Sequence, residues 1–282
     1  MPERKSWLIT GCSTGFGREI ARTALEAGHR VLVTARQPES VADLCAAFPE
    51  TARVQALDVT SPTQVQAAVT AAINHFGHID VLVNNAGYGY VGAVEEGEEE
   101  AYRAMFETNF FGALAITRAV LPHMRARGSG RIINNSSQAG IMANPGTGFY
   151  SASKYALEGL MEALAKEVAP LGIHVTSVQP GAFRTDWSGR SMQRSNTRID
   201  DYAEHVGARL EMIAAIDGAQ PGDPKRGAAV FLQLAEMDNP PIQLLLGAGV
   251  LATYREKLAA INASLDEWEP TTLSADFPPG ED

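Results

Sequence analysis

Short apolar runs alternate with longer amphipathic segments along most of the chain. The runs are as long as strands, and the one at residues 79–83 is interpreted as a parallel strand buried on both faces. They lie at residues 6–10, 31–35, 53–57, 79–83, 131–135, 173–178 and 242–246. Helices are predicted at residues 17–27, 41–48, 62–76, 99–106, 110–127, 150–171, 225–236 and 251–265. This alternation predicts an α/β fold, a doubly wound parallel sheet of about seven strands with helices on both faces.

Turn and capping residues mark the ends of several elements. Ser61-Pro62 provides a capping hydroxyl and a proline at the first helical position, and Gly77 follows the same helix. The polar stretch 188–220 interrupts the alternation and is interpreted as an inserted substrate loop. The acidic, proline-containing segment 266–282 is predicted to be a poorly ordered tail. Because no repeat or linker divides the chain, residues 1–282 are interpreted as one domain.

Composition and charge exclude several classes of function. The chain has 282 residues, 45% of them hydrophobic, and a formal net charge of −10. Nucleic acid is therefore not expected as a partner, because phosphate binding needs a basic surface. No apolar run is long enough for a membrane span, and no signal-peptide core precedes the first strand. Cys12 and Cys45 cannot form a disulfide framework, and the histidines show no metal-ligand spacing, so a cytoplasmic protein without a metal is predicted.

A glycine-rich turn joins the first strand to the first helix. Its sequence is Thr10-Gly11-Cys12-Ser13-Thr14-Gly15-Phe16-Gly17. Glycines here let the backbone turn tightly and approach a pyrophosphate, which the amides and dipole at the start of the helix then hold. The G-x-x-x-G-x-G spacing departs from the commoner G-x-G-x-x-G pattern, but its position between strand and helix indicates a dinucleotide site.

The same turn supports a rival interpretation. Gly11-Cys12-Ser13-Thr14-Gly15 matches the G-x-S-x-G nucleophile elbow, which would make Ser13 the nucleophile of a serine hydrolase. The turn follows the first strand, so no earlier loop is present to supply a second oxyanion donor. No downstream acid and histidine stand out as triad partners either. This interpretation is kept as the least favoured alternative.

Cofactor preference is predicted from the end of the second strand. Enzymes that use NAD usually place a carboxylate there to bind the ribose hydroxyls. This chain has Thr34-Ala35-Arg36, with a guanidinium and no carboxylate. Arg36 could bind a 2′-phosphate through charge-assisted hydrogen bonds. We therefore expect NADP(H) as the preferred cofactor, with NAD(H) as a possible one.

A tyrosine and a lysine lie four residues apart in Tyr150-Ser151-Ala152-Ser153-Lys154. On a helix this spacing puts the phenol and the ammonium on one face. A free tyrosine has a pKa of about 10. A neighbouring cation favours the phenolate and is expected to lower that pKa toward the operating range of an acid–base catalyst.

Together the motifs resemble the classical short-chain dehydrogenase/reductase family over residues 6 to 250. They are the glycine turn, Asp58, Asn84-Asn85-Ala86-Gly87, Asn109, Ser137, the Tyr150 and Lys154 pair, and Pro180-Gly181. The residues around the glycines are most similar to the branch that contains 17β-hydroxysteroid and retinol dehydrogenases. The resemblance implies a Rossmann-type fold and an NAD(P)-dependent oxidoreductase that interconverts an alcohol with a ketone or aldehyde.

The resemblance also implies roles for individual residues. The catalytic tetrad would be Asn109, Ser137, Tyr150 and Lys154, with Ser137 preferred to Ser136 because it lies thirteen residues before the tyrosine. Tyr150 is expected to act as general acid and base, and Ser137 to stabilise the developing oxyanion. The cofactor would contact Gly11, Ser13, Thr14, Gly15, Phe16, Gly17, Arg36, Asp58, Val59, Asn85, Ala86, Gly87, Tyr150, Lys154, Pro180, Gly181, Phe183 and Thr185. For Asp58 and Asn85, a structural role in the loops is an open alternative.

The expected substrate is a hydrophobic small molecule. Gln138, Met142, Phe149 and Trp187 are the candidate contacts, from the loop after Ser137 and the insertion after Gly181. The family resemblance implies a homodimer or homotetramer built through the helices at 110–127 and 150–171. A protein that binds NADP(H) without turnover, as a redox sensor, is the alternative from a different functional class.

Overall fold

The computed structural model describes residues 4–187, 189 and 191–277. Its strands are β1 (Ser6–Ile9), β2 (Arg30–Ala35), β3 (Ala52–Ala56), β4 (Val81–Asn84), β5 (Gly89–Val91), β6 (Gly130–Asn135), β7 (Ile173–Pro180), β8 (Met192–Arg194) and β9 (Gln243–Leu246). Its helices are α1 (Gly15–Glu26), α2 (Ala42–Ala47), α3 (Pro62–Phe76), α4 (Glu99–Phe106), α5 (Ala113–Arg127), α6 (Gly148–Val168), α7 (Ala208–Ala215), α8 (Pro224–Glu236) and α9 (Ala248–Leu273).

The main sheet is parallel and has seven strands in the order β3-β2-β1-β4-β6-β7-β9. This is the doubly wound, Rossmann-type arrangement that the sequence predicts. The strand order reverses between β1 and β4, so the connections after these two strands diverge. Ligands in open α/β sheets bind in the crevice at such a reversal, outside the carboxyl ends of the strands.

The core lies on both faces of the sheet because successive strand residues point to opposite sides. Trp7 and Ile9 of β1 belong to one apolar cluster, which α1 and α8 cover. Leu8, between them, belongs to the other cluster, which α3, α5 and α6 cover. Residues 7–9 of β1 and 81–83 of β4 are therefore apolar throughout and buried on both faces of the sheet.

A second, two-stranded parallel sheet pairs β5 with β8 across roughly a hundred residues of chain. It ties the loop after β4 to the segment 191–207, which the sequence predicted only as a polar insertion. Part of that insertion is regular structure, since β8, a short π-helix (Ala203–Gly207) and α7 lie within it. Ser188, at its start, lies outside the described residues.

Carboxylates at the start of α4 hold this segment. One oxygen of Glu98 accepts hydrogen bonds from the backbone N–H groups of Asn196 (2.8 Å) and Thr197 (3.2 Å) and from the Ser195 hydroxyl (3.1 Å). The other oxygen accepts the hydroxyl of Tyr90, in β5. The Tyr90 hydrogen bond is the largest cause that lowers the pKa of Glu98 to about 2. An ionised Glu98 thus joins the two strands of the small sheet through side chains as well as backbone.

The final helix is longer than the sequence predicts. The expected disordered tail was placed at residues 266–282, but α9 continues to Leu273, so this prediction is wrong for residues 266–273. Glutamate is a good helix former, and the single Pro270 removes only one backbone donor near the end of the helix. From Leu258 to Leu273 every side chain is exposed. Residues 278–282 lie outside the described part of the chain.

Two classes of site are absent from the described residues. No described helix combines the length and apolarity needed to cross a bilayer. Within the same residues, no three His, Cys, Asp or Glu side chains are grouped so that they could hold a metal ion.

Candidate active site

A cavity of about 990 Å³ opens at the carboxyl ends of β1 and β4, where the strand order reverses. Loops after β1, β2, β3, β4, β6 and β7 line it, together with one face of α7. Of the cofactor residues that the sequence predicts, the cavity is lined by Gly11, Ser13, Thr14, Gly15, Phe16, Arg36, Asp58, Val59, Asn85, Ala86, Gly87, Tyr150, Lys154, Pro180, Gly181, Phe183 and Thr185.

The glycine turn fits an anion. Gly11 and Gly15 have φ angles of 71° and 57°, a region that other residues rarely adopt. Thr14, the residue before α1, makes no side-chain capping bond, and the first turn of α1 contains no acidic residue. The amide groups at the positive end of this helix therefore remain available to a phosphate in the cavity.

Gly17 does not line the cavity, although it was predicted to contact the cofactor. A Cβ atom at this position would lie 2.3 Å from the carbonyl oxygen of Gly11 and 2.3 Å from the side-chain nitrogen of Asn85. Gly17 is thus needed so that α1 can pack closely against the turn. Gly17 therefore affects the cavity only through the position of α1.

The turn does not build a hydrolase site. Ser13 lines the cavity, but none of the described residues that line it is a histidine, so the histidine base of a Ser-His-Asp triad is missing there. Cys12 points into the core, where its thiol donates to the carbonyl of Ile9 at 3.3 Å. Burial raises the pKa of the Cys12 thiol to about 12, which leaves it unreactive.

Asn85 and Asp58 both make loop contacts. The Asn85 amide donates to the carbonyls of Thr10 (3.0 Å) and Gly11 (2.9 Å) and accepts from Asn135 (2.8 Å). Asp58 accepts from the backbone N–H of Thr60 at 3.0 Å and from its hydroxyl at 2.7 Å. Both residues also line the cavity. The structural role is therefore present for each, and contact with a cofactor stays a prediction.

Tyr150 stands at the start of α6, on the wall of the cavity opposite solvent, and is buried. Burial raises the pKa of its phenol to about 12, while the side chains of Ser137 and Trp187, which can donate hydrogen bonds to the phenolic oxygen, lower it. The Trp187 ring lies 5.4 Å from the Tyr150 ring, centroid to centroid. The expected lowering of this pKa by Lys154 is wrong for the protein alone, because desolvation outweighs the favourable contacts.

Lys154 lies on the same face of α6, with its ammonium 5.9 Å from the centroid of the Tyr150 ring. The ammonium donates a hydrogen bond of 3.0 Å to the carbonyl of Asn135, at the end of β6. Burial lowers the pKa of Lys154 to about 8, and the carboxyl of Glu158 one turn further along opposes this shift. Lys154 is thereby fixed between the strand edge and the cavity.

Asn109 lies behind the cavity wall. It belongs to a π-helix (Glu107–Gly112) that joins α4 to α5, a distortion that is frequent at functional sites. Its amide accepts from the N–H of Tyr88 (2.9 Å) and donates to the carbonyl of the same residue (2.9 Å). A Cβ atom at Gly87 would lie 2.9 Å from the Asn109 oxygen and 3.9 Å from the Lys154 nitrogen. Asn109 thus orders the loop beside Lys154 without lining the cavity.

Ser136 and Ser137 have different surroundings. The Ser137 hydroxyl accepts the N–H of Ala139 at 3.0 Å and lies next to Tyr150. Ser136 is buried and lies beside Glu158, whose pKa is raised by burial and lowered by this hydroxyl and by the amides of Gln179 and Gln243. Both serines line the cavity, but Ser137 is the one beside the Tyr150 phenol, and its role in catalysis stays a prediction.

The predicted substrate contacts are only partly in place. Gln138 and Trp187 line the cavity. Met142 and Phe149 do not line it, and their contact with a substrate stays a prediction. Phe149 stacks on Tyr102 at a centroid distance of 4.3 Å. The sequence analysis missed the lining contributed by α7 and the residue after it, namely Arg209, Met212, Ile213 and Ile216. Their helical spacing in the sequence is the signal by which they could have been identified as one face of a helix.

Comparison with known proteins settles the family. A family model described as short chain dehydrogenase matches residues 5–196, which include the glycine turn, Ser137, Tyr150 and Lys154. The chain belongs to the short-chain dehydrogenase family. It is therefore an oxidoreductase by family, and the resemblance inferred from the motifs is confirmed at this level.

Individual members of the family are similar over most of their length. The chain is 40% identical over 242 residues to a 3-ketodihydrosphingosine reductase from Bacteroides thetaiotaomicron, covering 85% of this chain and 87% of that protein. A crystal structure of a short-chain dehydrogenase from Streptomyces avermitilis is 42% identical with a TM-score of 0.91, covering 98% of this chain and 100% of the other. A structure of ElxO with NADP bound is 27% identical with a TM-score of 0.74, covering 89% and 100%.

Proposed function

We propose that the protein is an NADP(H)-dependent oxidoreductase that interconverts a ketone or aldehyde with an alcohol. The observation that carries the proposal is that Ser137, Tyr150 and Lys154 line the same cavity as the glycine turn. The cavity thus contains a proton donor, a hydrogen-bond donor for an oxyanion, and an anion site. A protein that only binds the dinucleotide needs neither the phenol nor the serine.

The residues present suit a dinucleotide. The free amides at the start of α1 would hold its pyrophosphate, and Arg36, exposed at the end of β2, would hold a 2′-phosphate. Asp58 and Val59 would contact the adenine, and Pro180, Gly181 and Thr185 the nicotinamide end. The NADP-bound ElxO structure supports this assignment by similarity of fold and sequence. When bound, the nicotinamide ring exchanges a hydride with the carbonyl carbon.

The chain's own residues handle the carbonyl oxygen. With its pKa raised to about 12, Tyr150 holds its proton at neutral pH and would donate it to the oxygen during reduction. The Ser137 hydroxyl would hydrogen-bond to the same oxygen as negative charge develops there. Lys154 would bind the cofactor ribose and favour return of the proton in the reverse direction. Asn109 would keep the Tyr88 loop and Lys154 in place.

The substrate is expected to be largely apolar. Trp187, Met212, Ile213 and Ile216 line the cavity, and one relative named above is a 3-ketodihydrosphingosine reductase, whose name specifies a keto substrate. Membership of the branch with 17β-hydroxysteroid and retinol dehydrogenases stays a prediction, as does a cytoplasmic location.

A homo-oligomer is proposed through α5 and α6. Phe111 and Tyr155, near the start of these helices, are 47% and 41% exposed, and a groove lined by Phe106, Phe111 and Phe149 lies beside them. A second copy that covers this apolar surface would remove it from water.

The Tyr150→Phe variant tests the proposed function. It keeps the ring and its contact with Trp187 but removes the transferable proton. Ketone-dependent oxidation of NADPH should fall by roughly 100-fold or more, while NADPH titration followed by its fluorescence should give an unchanged dissociation constant. A near-normal turnover rate would remove Tyr150 from the mechanism. Lack of turnover in the unaltered protein with aliphatic, aromatic and steroid ketones would favour the non-catalytic sensor.

A further inference from the structure

We propose that Arg209 binds an anionic group of the substrate. The substrate class would then be a carbonyl compound with an apolar body and a carboxylate or phosphate at a distance from the carbonyl. This inference rests on the proposed function, because it assigns the substrate of the same cavity. It goes beyond the purely hydrophobic substrate that the sequence predicts.

Arg209 lies on the face of α7 that forms part of the cavity wall. Arg209, Met212, Ile213 and Ile216 follow one another at the spacing of a single helix face, and all four line the cavity. An adjacent side of the same segment packs on an apolar cluster, which Ile213 also contacts. Val206 and Leu210 belong to an apolar cluster with residues of β5 and β8.

This packing places α7 near the predicted reaction centre. The side chain of Leu210 would lie 3.1 Å from a Cβ atom at Gly146, just before the helix that carries Tyr150. Trp187, which contacts the Tyr150 ring, packs against the same apolar cluster. The phosphates of a dinucleotide would lie elsewhere, at the glycine turn and Arg36. Arg209 is therefore available to the other reactant.

The guanidinium of Arg209 has no partner within the described part of the chain. Its Nε atom is buried and makes no hydrogen bond, and no described carboxylate forms an ion pair with it. Two nearby arginines differ in this respect. Arg184 donates to the carbonyl of Gln220 at 3.2 Å, and Arg194 donates to the carbonyl of Leu210 at 3.4 Å.

The buried Nε of Arg209 lacks a hydrogen bond, so a ligand that accepts one there would satisfy it. The planar guanidinium matches carboxylate and phosphate groups through two parallel hydrogen bonds. The three apolar residues that follow on the same helix face would contact the hydrocarbon part of such a molecule. The arrangement thus selects an amphiphilic anion, with its carbonyl toward Tyr150.

The experiment compares three substrates of the same carbon skeleton. They are a medium-chain oxo fatty acid, its methyl ester, and an oxo-alkyl phosphate of matched length, each reduced with NADPH by the unaltered protein and by Arg209→Met. The unaltered protein should prefer an anion to the ester by roughly 10- to 100-fold in kcat/KM, through KM. Arg209→Met should lose this preference with little change in kcat for the ester. Arg255→Met, an exposed arginine on α9, is the matched control and should behave like the unaltered protein.

The outcomes separate this inference from the proposed function. Equal kcat/KM for the acids and the ester in the unaltered protein, with turnover intact, would overturn the role of Arg209 and leave the proposed function standing. Comparing kcat/KM for the oxo fatty acid with kcat/KM for the oxo-alkyl phosphate identifies which anion is preferred. Binding of each anion to the Tyr150→Phe variant with NADPH present gives a readout independent of turnover. Arg209-dependent binding without turnover in the unaltered protein would support the site and overturn the proposed function.

Discussion

The ammonium of Lys154 donates a hydrogen bond of 3.0 Å to the carbonyl oxygen of Asn135, so the first turns of α6 are tied to the end of β6. This contact compensates only part of the cost of burying the charge. The pKa of Lys154 accordingly falls from 10.5 to about 8 because burial disfavours the charged form. Burying the charged Lys154 side chain beside the cavity thus reduces the stability of the folded protein.

The first prediction concerns stability as a function of pH. Below about pH 8 Lys154 is charged in both the folded and unfolded states, and the folded state bears the full cost of burial. Between about pH 8 and 10.5 the folded protein binds fewer protons than the unfolded chain, so stability should rise with pH. Relative to Lys154→Met, the free energy of unfolding should increase by up to roughly 3 kcal/mol across this window, measured by urea denaturation. The exposed Lys166→Met on the same helix is the control, and a flat difference would contradict the prediction.

The second prediction separates the two adjacent serines. Ser137→Ala removes a hydroxyl that faces Tyr150, so kcat for ketone reduction should fall by roughly 100- to 1,000-fold. Ser136→Ala removes a hydroxyl beside Glu158 and should mainly alter stability, with a far smaller effect on kcat. Steady-state kinetics and thermal unfolding of both variants give the comparison. The reverse ranking in kcat would show that Ser136 is the reacting serine.

The third prediction tests cofactor preference. Arg36 is exposed and lines the cavity at the end of β2, where it would contact the 2′-phosphate. Arg36→Ala should raise KM for NADPH by roughly 10- to 100-fold and leave KM for NADH nearly unchanged, because charge-assisted bonds to the phosphate are lost. Arg255→Ala serves as a charge-matched control. An equal rise for both cofactors would remove Arg36 from phosphate recognition.

The fourth prediction concerns the segment held by Glu98. Glu98→Gln leaves the shape of the side chain intact but weakens its bonds to Asn196, Thr197 and Tyr90, since a carboxylate accepts more strongly than an amide. Limited proteolysis within residues 195–202 should become faster, and KM for the ketone should rise several-fold while KM for NADPH stays constant. The exposed neighbour Glu99→Gln is the control. Unchanged proteolysis in Glu98→Gln would show that backbone pairing alone holds the segment.

Much of the fold could be predicted because strand burial is visible in the chain. Residues 7–9 of β1 and 81–83 of β4 have no polar alternation, and all the predicted strands of the main sheet are present. The small sheet escaped prediction because Gly89–Val91 and Met192–Arg194 are three residues each and pair over a long sequence separation. The extent of α9 was underestimated because acidic residues and Pro270 resemble the composition of disordered tails.

The site could be predicted where chemistry is tied to a motif. Ser137, Tyr150 and Lys154 meet at the cavity as the motif spacing implies. The pKa of Tyr150 could not be predicted from the motif. It depends on how deeply the phenol is buried, which residue spacing does not encode. The orientation of Phe149 could not be predicted either, because only the structure shows that its ring stacks on Tyr102.

The pairing of β5 with β8 supports part of the cavity wall separately from the main sheet, whose strand ends carry the predicted dinucleotide contacts. Its apolar cluster, with Val91, Met192 and Leu210, is distinct from the two clusters that flank the main sheet. Substitutions on the cavity face of α7 can therefore reshape the range of molecules reduced without disturbing the glycine turn. New substrate specificities would then arise while the predicted dinucleotide site stays unchanged.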